Sequence, residues 1–243
     1  MSYPTYLNPN DPLPLPRLFE QDPKFPDGLI AISDSIDPKR LIEAYQKGIF
    51  PWPSENQPIL WWFTSPRMTL RPRDMIIRRS FKKKIQQVLV NPDWEIKIDH
   101  SFETVIQSCA NSPRQGQNGT WITPEIQENY IELFHQGIAH SIETWYQNEL
   151  VGGLYGINLG RMFYGESMFM KTADASKLAL AALCAIAIQS GIALIDCQQE
   201  TSHLKSLGAQ LMDKTSFLNA IEKLTIEPSP NWFFNKEVLA YWL

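Results

Sequence analysis

Two carboxylic acids in this chain stand where apolar stretches end. Glu166 follows Arg161-Met162-Phe163-Tyr164-Gly165, and Asp196 follows Ile192-Ala193-Leu194-Ile195. A carboxylate so placed is costly unless it has partners or a task. Asp196 also opens the run Asp196-Cys197-Gln198. A spacing of two on an extended strand end turns both side chains the same way. An acid beside an amide can grip an amine; a hydrogen-bonded strand cap is the plain structural alternative.

The elements that must position these groups lie between Val151 and Ala209. Leu150-Val151-Gly152-Gly153-Leu154-Tyr155-Gly156 reads as a strand punctuated by glycines, and a second strand runs toward Glu166. A helix spans about Asp174 to Ser190 and leads into the buried strand before Asp196. Upstream, Asp37-Pro38 predicts a capped helix over 37–47 that stops at Gly48. The pattern predicts strands near 29–32, 68–71, 94–99 and 140–146, and helices near 78–89, 102–109, 124–136, 201–207 and 215–223. Residues 1–28 hold seven prolines and read as an extended arm. Residues 111–118 read as a polar loop. The order of elements calls for an α+β or α/β domain with a mixed sheet, with an aromatic N-terminal lobe ending near residue 65.

Length and composition narrow the function. The chain has 243 residues, 44% hydrophobic and 20% charged, a globular balance without a bilayer-spanning run. Met1-Ser2-Tyr3-Pro4 shows no signal-peptide pattern. Three widely spaced cysteines, Cys109, Cys184 and Cys197, suggest neither a disulfide framework nor a metal site, and so a cytoplasmic protein. Net charge is −4, yet seven cations (Arg71, Arg73, Arg78, Arg79, Lys82, Lys83, Lys84) face one acid, Asp74, within 71–84. A phosphate backbone would offset their repulsion; a solvated helix face is the simpler reading from charge alone. Trp52, Trp61 and Trp62 stand within eleven residues among prolines. Tryptophans in such loops serve as core anchors or as a stacking wall for a ligand.

Taken in order, ten motifs resemble those of leucyl/phenylalanyl-tRNA–protein transferases. They are Gly48-Ile49-Phe50-Pro51-Trp52, Trp61-Trp62, Pro66-Arg67, Thr120-Trp121-Ile122, Ala139-His140-Ser141-Ile142-Glu143, Leu150 to Gly156, Gly165-Glu166-Ser167-Met168-Phe169, Ala175-Ser176-Lys177, Leu194-Ile195-Asp196-Cys197-Gln198 and Ser206-Leu207-Gly208-Ala209. The resemblance covers roughly residues 28–220. Phe63-Thr64-Ser65 and Met170 depart from the family's usual residues.

The resemblance implies a small N-terminal domain (1–65) and an acetyltransferase-like (GNAT-like) domain (66–243). It implies transfer of leucine or phenylalanine, and less well methionine, from aminoacyl-tRNA to an N-terminal arginine or lysine of a protein. The product carries a degradation signal, an N-degron. Asp196 and Gln198 take the family's catalytic positions. Glu166 lies near the aminoacyl group, Trp52, Trp121, Tyr45 and Tyr130 surround the terminal adenosine, and Met168, Leu180, Leu183 and Ile195 line the amino-acid pocket. Arg79, Lys82 and Lys83 fall on the family's tRNA-binding helix. Aminolysis of an activated ester requires no cofactor, ATP or metal. A cytoplasmic monomer is expected.

Two other readings compete. An acyl-CoA-dependent acetyltransferase would need a glycine-rich turn for the pyrophosphate, and Met170 to Lys177 contains no glycine. A tRNA-binding module without chemistry would keep the basic helix and the aromatic platform alone. His140 and His203 are unpaired in the sequence and are poor candidates for catalysis.

Overall fold

The computed structural model describes residues 4–18, 23–54, 57–112 and 120–243. Most of the polar loop expected at 111–118, and part of the proline-rich arm, lie outside the described residues.

The strands in chain order are β1 (Thr5–Leu7), β2 (Leu29–Ser33), β3 (Phe50–Pro51), β4 (Ile59–Trp62), β5 (Arg67–Leu70), β6 (Trp94–Ile98), β7 (Ala139–Tyr146), β8 (Glu149–Leu159), β9 (Met162–Met170), β10 (Leu194–Asp196) and β11 (Gln210–Met212). The helices are α1 (Pro38–Gln46), α2 (Arg79–Val90), α3 (Phe102–Ala110), α4 (Pro124–His135), α5 (Ala175–Ser190), α6 (Ser202–Ser206) and α7 (Lys214–Leu224). The helix starts obey local chemistry. Asp37 accepts from Arg40 N, and Thr123 from Ile126 N, each just before a first-turn proline.

The strands form two sheets. A four-stranded sheet has the order β1-β2-β4-β3, and a seven-stranded mixed sheet has the order β11-β5-β10-β9-β8-β7-β6. In the larger sheet only β10 and β9 run parallel, joined by α5 as the crossover. One apolar cluster lies between the two sheets and includes Tyr45, Trp61, Tyr130 and Tyr155. The other is built around α5 and includes its Leu180 and Leu183 together with Ile195 of β10. α5 is buried on nearly every side, which is why its sequence is apolar all round.

The proline-punctuated arm is tied down. It contributes β1, and Arg40 Nη1 donates to the Asp11 carbonyl at 2.7 Å while Nη2 donates to those of Pro9 (2.6 Å) and Asn8 (3.1 Å). The tryptophan pair is also more regular than its prolines suggest. Trp61 and Trp62 occupy β4, where burial alternates, so Trp61 is wholly core and Trp62 half-buried.

One irregularity matters for the site. β8 and β9 lose register between Tyr155 and Gly156: Tyr155 faces Ser167 and Gly156 faces Gly165, leaving Glu166 as the extra residue of a bulge. Gly156 permits the close approach. A Cβ there would stand 2.2 Å from the Tyr164 carbonyl oxygen and 2.5 Å from the Phe163 ring.

Candidate active site

The site is built where two parallel strands part. β10 pairs with β9 only through Leu194↔Met162, Ile195↔Phe163 and Asp196↔Tyr164. Past Asp196 the chain leans toward β5 instead: Cys197 N donates to the Met68 carbonyl at 2.9 Å. β9 continues to Met170 paired with β8 on its other side only. Across the opening, side chains take over from the backbone. Gln198 Nε2 donates to Glu166 Oε1 at 2.8 Å.

Gln198 therefore lies beyond the strand, which ends at Asp196. The shared facing expected from a spacing of two does not arise. Gln198 has φ +57, and Gln199 N donates to the Cys197 carbonyl at 2.7 Å, so Gln198 is the centre of a tight turn. A left-handed non-glycine residue costs about 1–3 kcal/mol and persists only where its surroundings fix it. Besides a 3.4 Å bond from Met68 N to the Gln198 carbonyl, three contacts do so here. Gln198 N donates to Asp196 Oδ1 (2.8 Å), Thr64 Oγ1 donates to the Gln198 carbonyl (3.0 Å), and the side chain reaches Glu166.

Asp196 is engaged differently from the sequence expectation. It is fully buried, and Arg67 takes both of its oxygens: Nε donates to Oδ1 and Nη2 to Oδ2, each at 2.8 Å. The guanidinium is 4.8 Å from the Phe50 ring centre, 4.7 Å from Phe217 and 5.8 Å from Phe63. Such a carboxylate is not available to an incoming ammonium. It acts on Gln198 through the backbone N–H rather than through the amide.

Arg67 and Thr64 are the residues that reading the chemistry off the sequence passed over. A signal existed for Arg67. It opens the strand Arg67-Met68-Thr69-Leu70, all four of which are buried, and a buried arginine needs an acid.

Glu166 is half-buried at the bulge. Neither Lys177 nor Arg161 neutralises it: Lys177 pairs with Asp174 at 2.7 Å, and Arg161 bonds the Ser190 carbonyl. Its second oxygen, Oε2, accepts from the Tyr130 hydroxyl at 3.1 Å, and that hydroxyl bonds the Tyr45 hydroxyl in turn. Burial, reinforced by the nearby Asp196 charge, pushes the Glu166 carboxyl up to about 7, despite hydrogen bonds from Tyr45, Tyr130 and Gln198 that oppose the rise. Burial also raises Tyr45 and Tyr130 well above the ordinary phenol value, so both stay neutral donors.

Of the four aromatic residues expected around an adenosine, the structure separates two pairs. Tyr45 and Tyr130 are fully buried, so their ring faces are closed to a base and only their hydroxyls reach the site. Trp52 and Trp121 are half-buried against the same aromatic cluster. Leu180 and Leu183 on α5 and Ile195 on β10 are core residues, at most 3% exposed, and Met168 alone of the expected pocket group is half-buried.

On α2, Arg79 and Lys83 are exposed, whereas Lys82 Nζ donates to the Leu243 carbonyl at 2.6 Å and helps seat the C-terminal residues. His140 is bound to Asp99 at 2.7 Å and stacks on Trp232, away from Glu166 and Gln198 in the bonding network. Among the described residues no His, Cys, Asp and Glu group could hold a metal, and no helix is long and apolar enough to cross a membrane.

Comparison with known proteins agrees with the resemblance. The sequence model described as leucyl/phenylalanyl-tRNA protein transferase matches residues 69–222, and that of the family's N-terminal domain matches residues 34–65. A leucyl/phenylalanyl-tRNA–protein transferase of Cupriavidus pinatubonensis is 50% identical over 239 residues, 98% of this chain and 95% of that protein. One from Ralstonia pickettii is 48% identical over 239 residues, 98% of this chain and 96% of that protein. Among solved structures, a GCN5-related N-acetyltransferase from Kribbella flavida aligns at a TM-score of 0.39 and 8% identity, covering 75% of this chain and 64% of that chain. Matched along nearly its whole length, the chain belongs to the leucyl/phenylalanyl-tRNA–protein transferase family.

Proposed function

We propose that this enzyme moves leucine, phenylalanine or methionine from its tRNA to the α-amine of a protein beginning with arginine or lysine, and so creates an N-degron. It works as a cytoplasmic monomer. The observation that carries this reading is the Gln198–Glu166 contact of 2.8 Å across the gap between β9 and β10; Trp52 and Trp121 are half-buried against the aromatic cluster that contains Tyr45 and Tyr130. With Nε2 committed to Glu166, the Gln198 Oε1 is left to accept from an amine. Asp196 and Arg67 fix the turn that carries Gln198. Trp52 and Trp121 offer indole faces to the terminal adenosine, each stacking contact being worth about 1–3 kcal/mol. Met168 forms the adaptable wall of the amino-acid pocket and is backed by the buried cluster that contains Leu180, Leu183 and Ile195.

The direct test mixes purified protein, leucyl-tRNA and a peptide starting with arginine. A mass increase of one leucine is expected. Retained tRNA binding without product would favour the module that lacks chemistry, and transfer from an acyl-CoA instead would favour the acetyltransferase.

The tRNA surface has its own test. Arg79→Ala with Lys83→Ala removes two exposed cations and leaves the Lys82 contact with Leu243 intact. Affinity for leucyl-tRNA should fall, and the slope of log affinity against log salt should flatten by about 1–2. An unchanged slope would remove α2 from the tRNA interface.

A further inference from the structure

We propose that Glu166 is the proton shuttle of aminoacyl transfer, taking the proton the attacking nitrogen loses and handing it to the departing ribose oxygen. The proposal rests on the transferase reading and adds a role that reading leaves open. It follows from what surrounds Gln198. An amide does not accept a proton at neutral pH. Asp196 is enclosed and doubly bonded to Arg67. Glu166 is the carboxylate that touches the Gln198 side chain, and it is only partly buried, on the stretch of β9 beyond its pairing with β10.

The step balances as follows. The neutral α-amine attacks the ester carbonyl carbon; the N–C bond forms and the carbonyl electron pair moves to oxygen. The nitrogen is now cationic, and one of its protons passes to the Glu166 carboxylate. The carbonyl re-forms, the C–O bond to the ribose breaks, and that oxygen takes the proton back. The enzyme ends as it began.

The neighbours of Glu166 suit both of its states. From α4, Tyr130 donates to Oε2; from α1, Tyr45 bonds Tyr130, and either hydroxyl of that pair can be the donor. When Glu166 gains a proton, it can donate to Tyr130 while Tyr130 turns toward Tyr45. Tyr164, on β9 itself, is spent on the Tyr45 carbonyl at 2.7 Å, and Arg67, on β5, is spent on Asp196. No cation therefore locks Glu166 as a permanent carboxylate among the described residues around it. A carboxyl whose midpoint lies near 7 can both take and return a proton at working pH.

Single-turnover transfer to a saturating arginine peptide, measured from pH 5.5 to 9 with ester hydrolysis subtracted, tests the role. Reaction needs a free amine, midpoint about 8, and an ionised Glu166. The logarithm of the wild-type rate should therefore climb with a slope near two below about pH 6.5 and near one between about 7 and 8. Glu166→Gln should slow bond formation by about 10²–10⁴ and leave a slope near one everywhere below about pH 8, with no break near 7. Tyr130→Phe, which removes a donor to the carboxylate, should move the lower break to higher pH and keep most of the rate at pH 8.5. A Glu166→Gln rate within a few-fold of wild type, a wild-type slope of one at low pH, or an unmoved break in Tyr130→Phe would each overturn the shuttle. Absence of wild-type transfer at any pH would instead overturn the transferase reading beneath it.

Discussion

Asp196→Ala should destabilise the fold by about 3–5 kcal/mol, because it strands Arg67 as a buried charge. Arg67 is 1% exposed and Asp196 not at all, and their two 2.8 Å bonds tie β5 to β10. Equilibrium urea unfolding measures the loss. The companion variant separates pairing from burial. Arg67→Met with Asp196→Leu removes both charges and should recover most of the stability, since a buried ion pair gains little over well-packed apolar residues. Transfer should remain lost in the double variant, because Gln198 N has no Asp196 oxygen to hold it in its turn. A double variant as unstable as Asp196→Ala would mean that the pair is itself the source of stability. A consequence is that Asp196→Ala reports folding and catalysis together, so its lost turnover does not identify Asp196 as a proton acceptor.

Gln198→Gly should give the opposite profile. Glycine adopts positive φ without strain, so melting temperature should hold or rise slightly. Transfer should fall by about 10²-fold or more, since the amine loses its acceptor and Glu166 its positioning bond. A melting curve and a single-turnover rate on the same preparation decide the matter. Rate and stability falling together would mean that Gln198 is structural; a rate within a few-fold of wild type would remove it from the reaction.

Much of this arrangement was legible in the sequence because it is local. Caps, prolines and 3.6-residue spacing place α1, α3 and α4, and the glycine-punctuated hairpin announces β8 and β9. Both acids were singled out from the sequence, and Asp196 does end β10, but Glu166 lies inside β9 at the bulge, four residues short of the strand's end at Met170. What was not legible is long-range or geometric. Nothing near Asp196 names Arg67, which lies 129 positions earlier. The turn at Gln198 depends on Thr64, from the other sheet's side of the chain. Tyr45 and Tyr130 look like platform aromatics by type, yet α1 and α4 bury their rings and expose only the hydroxyl function to Glu166. Prolines around Trp61 and Trp62 mask a strand because Pro51 and Pro58 sit at strand ends or outside them, where a missing N–H costs little.

The tie between β5 and β10 also sets when the molecule becomes competent during its own synthesis. Arg67 emerges from the ribosome on the order of 10 s before Asp196 is added. Until then the guanidinium has no counterion with which to enter the interior, and the loop that will bear Gln198 does not exist. A copy cut off before Asp196 lacks the acid, the turn and Gln198, and should show no transfer when supplied with aminoacyl-tRNA.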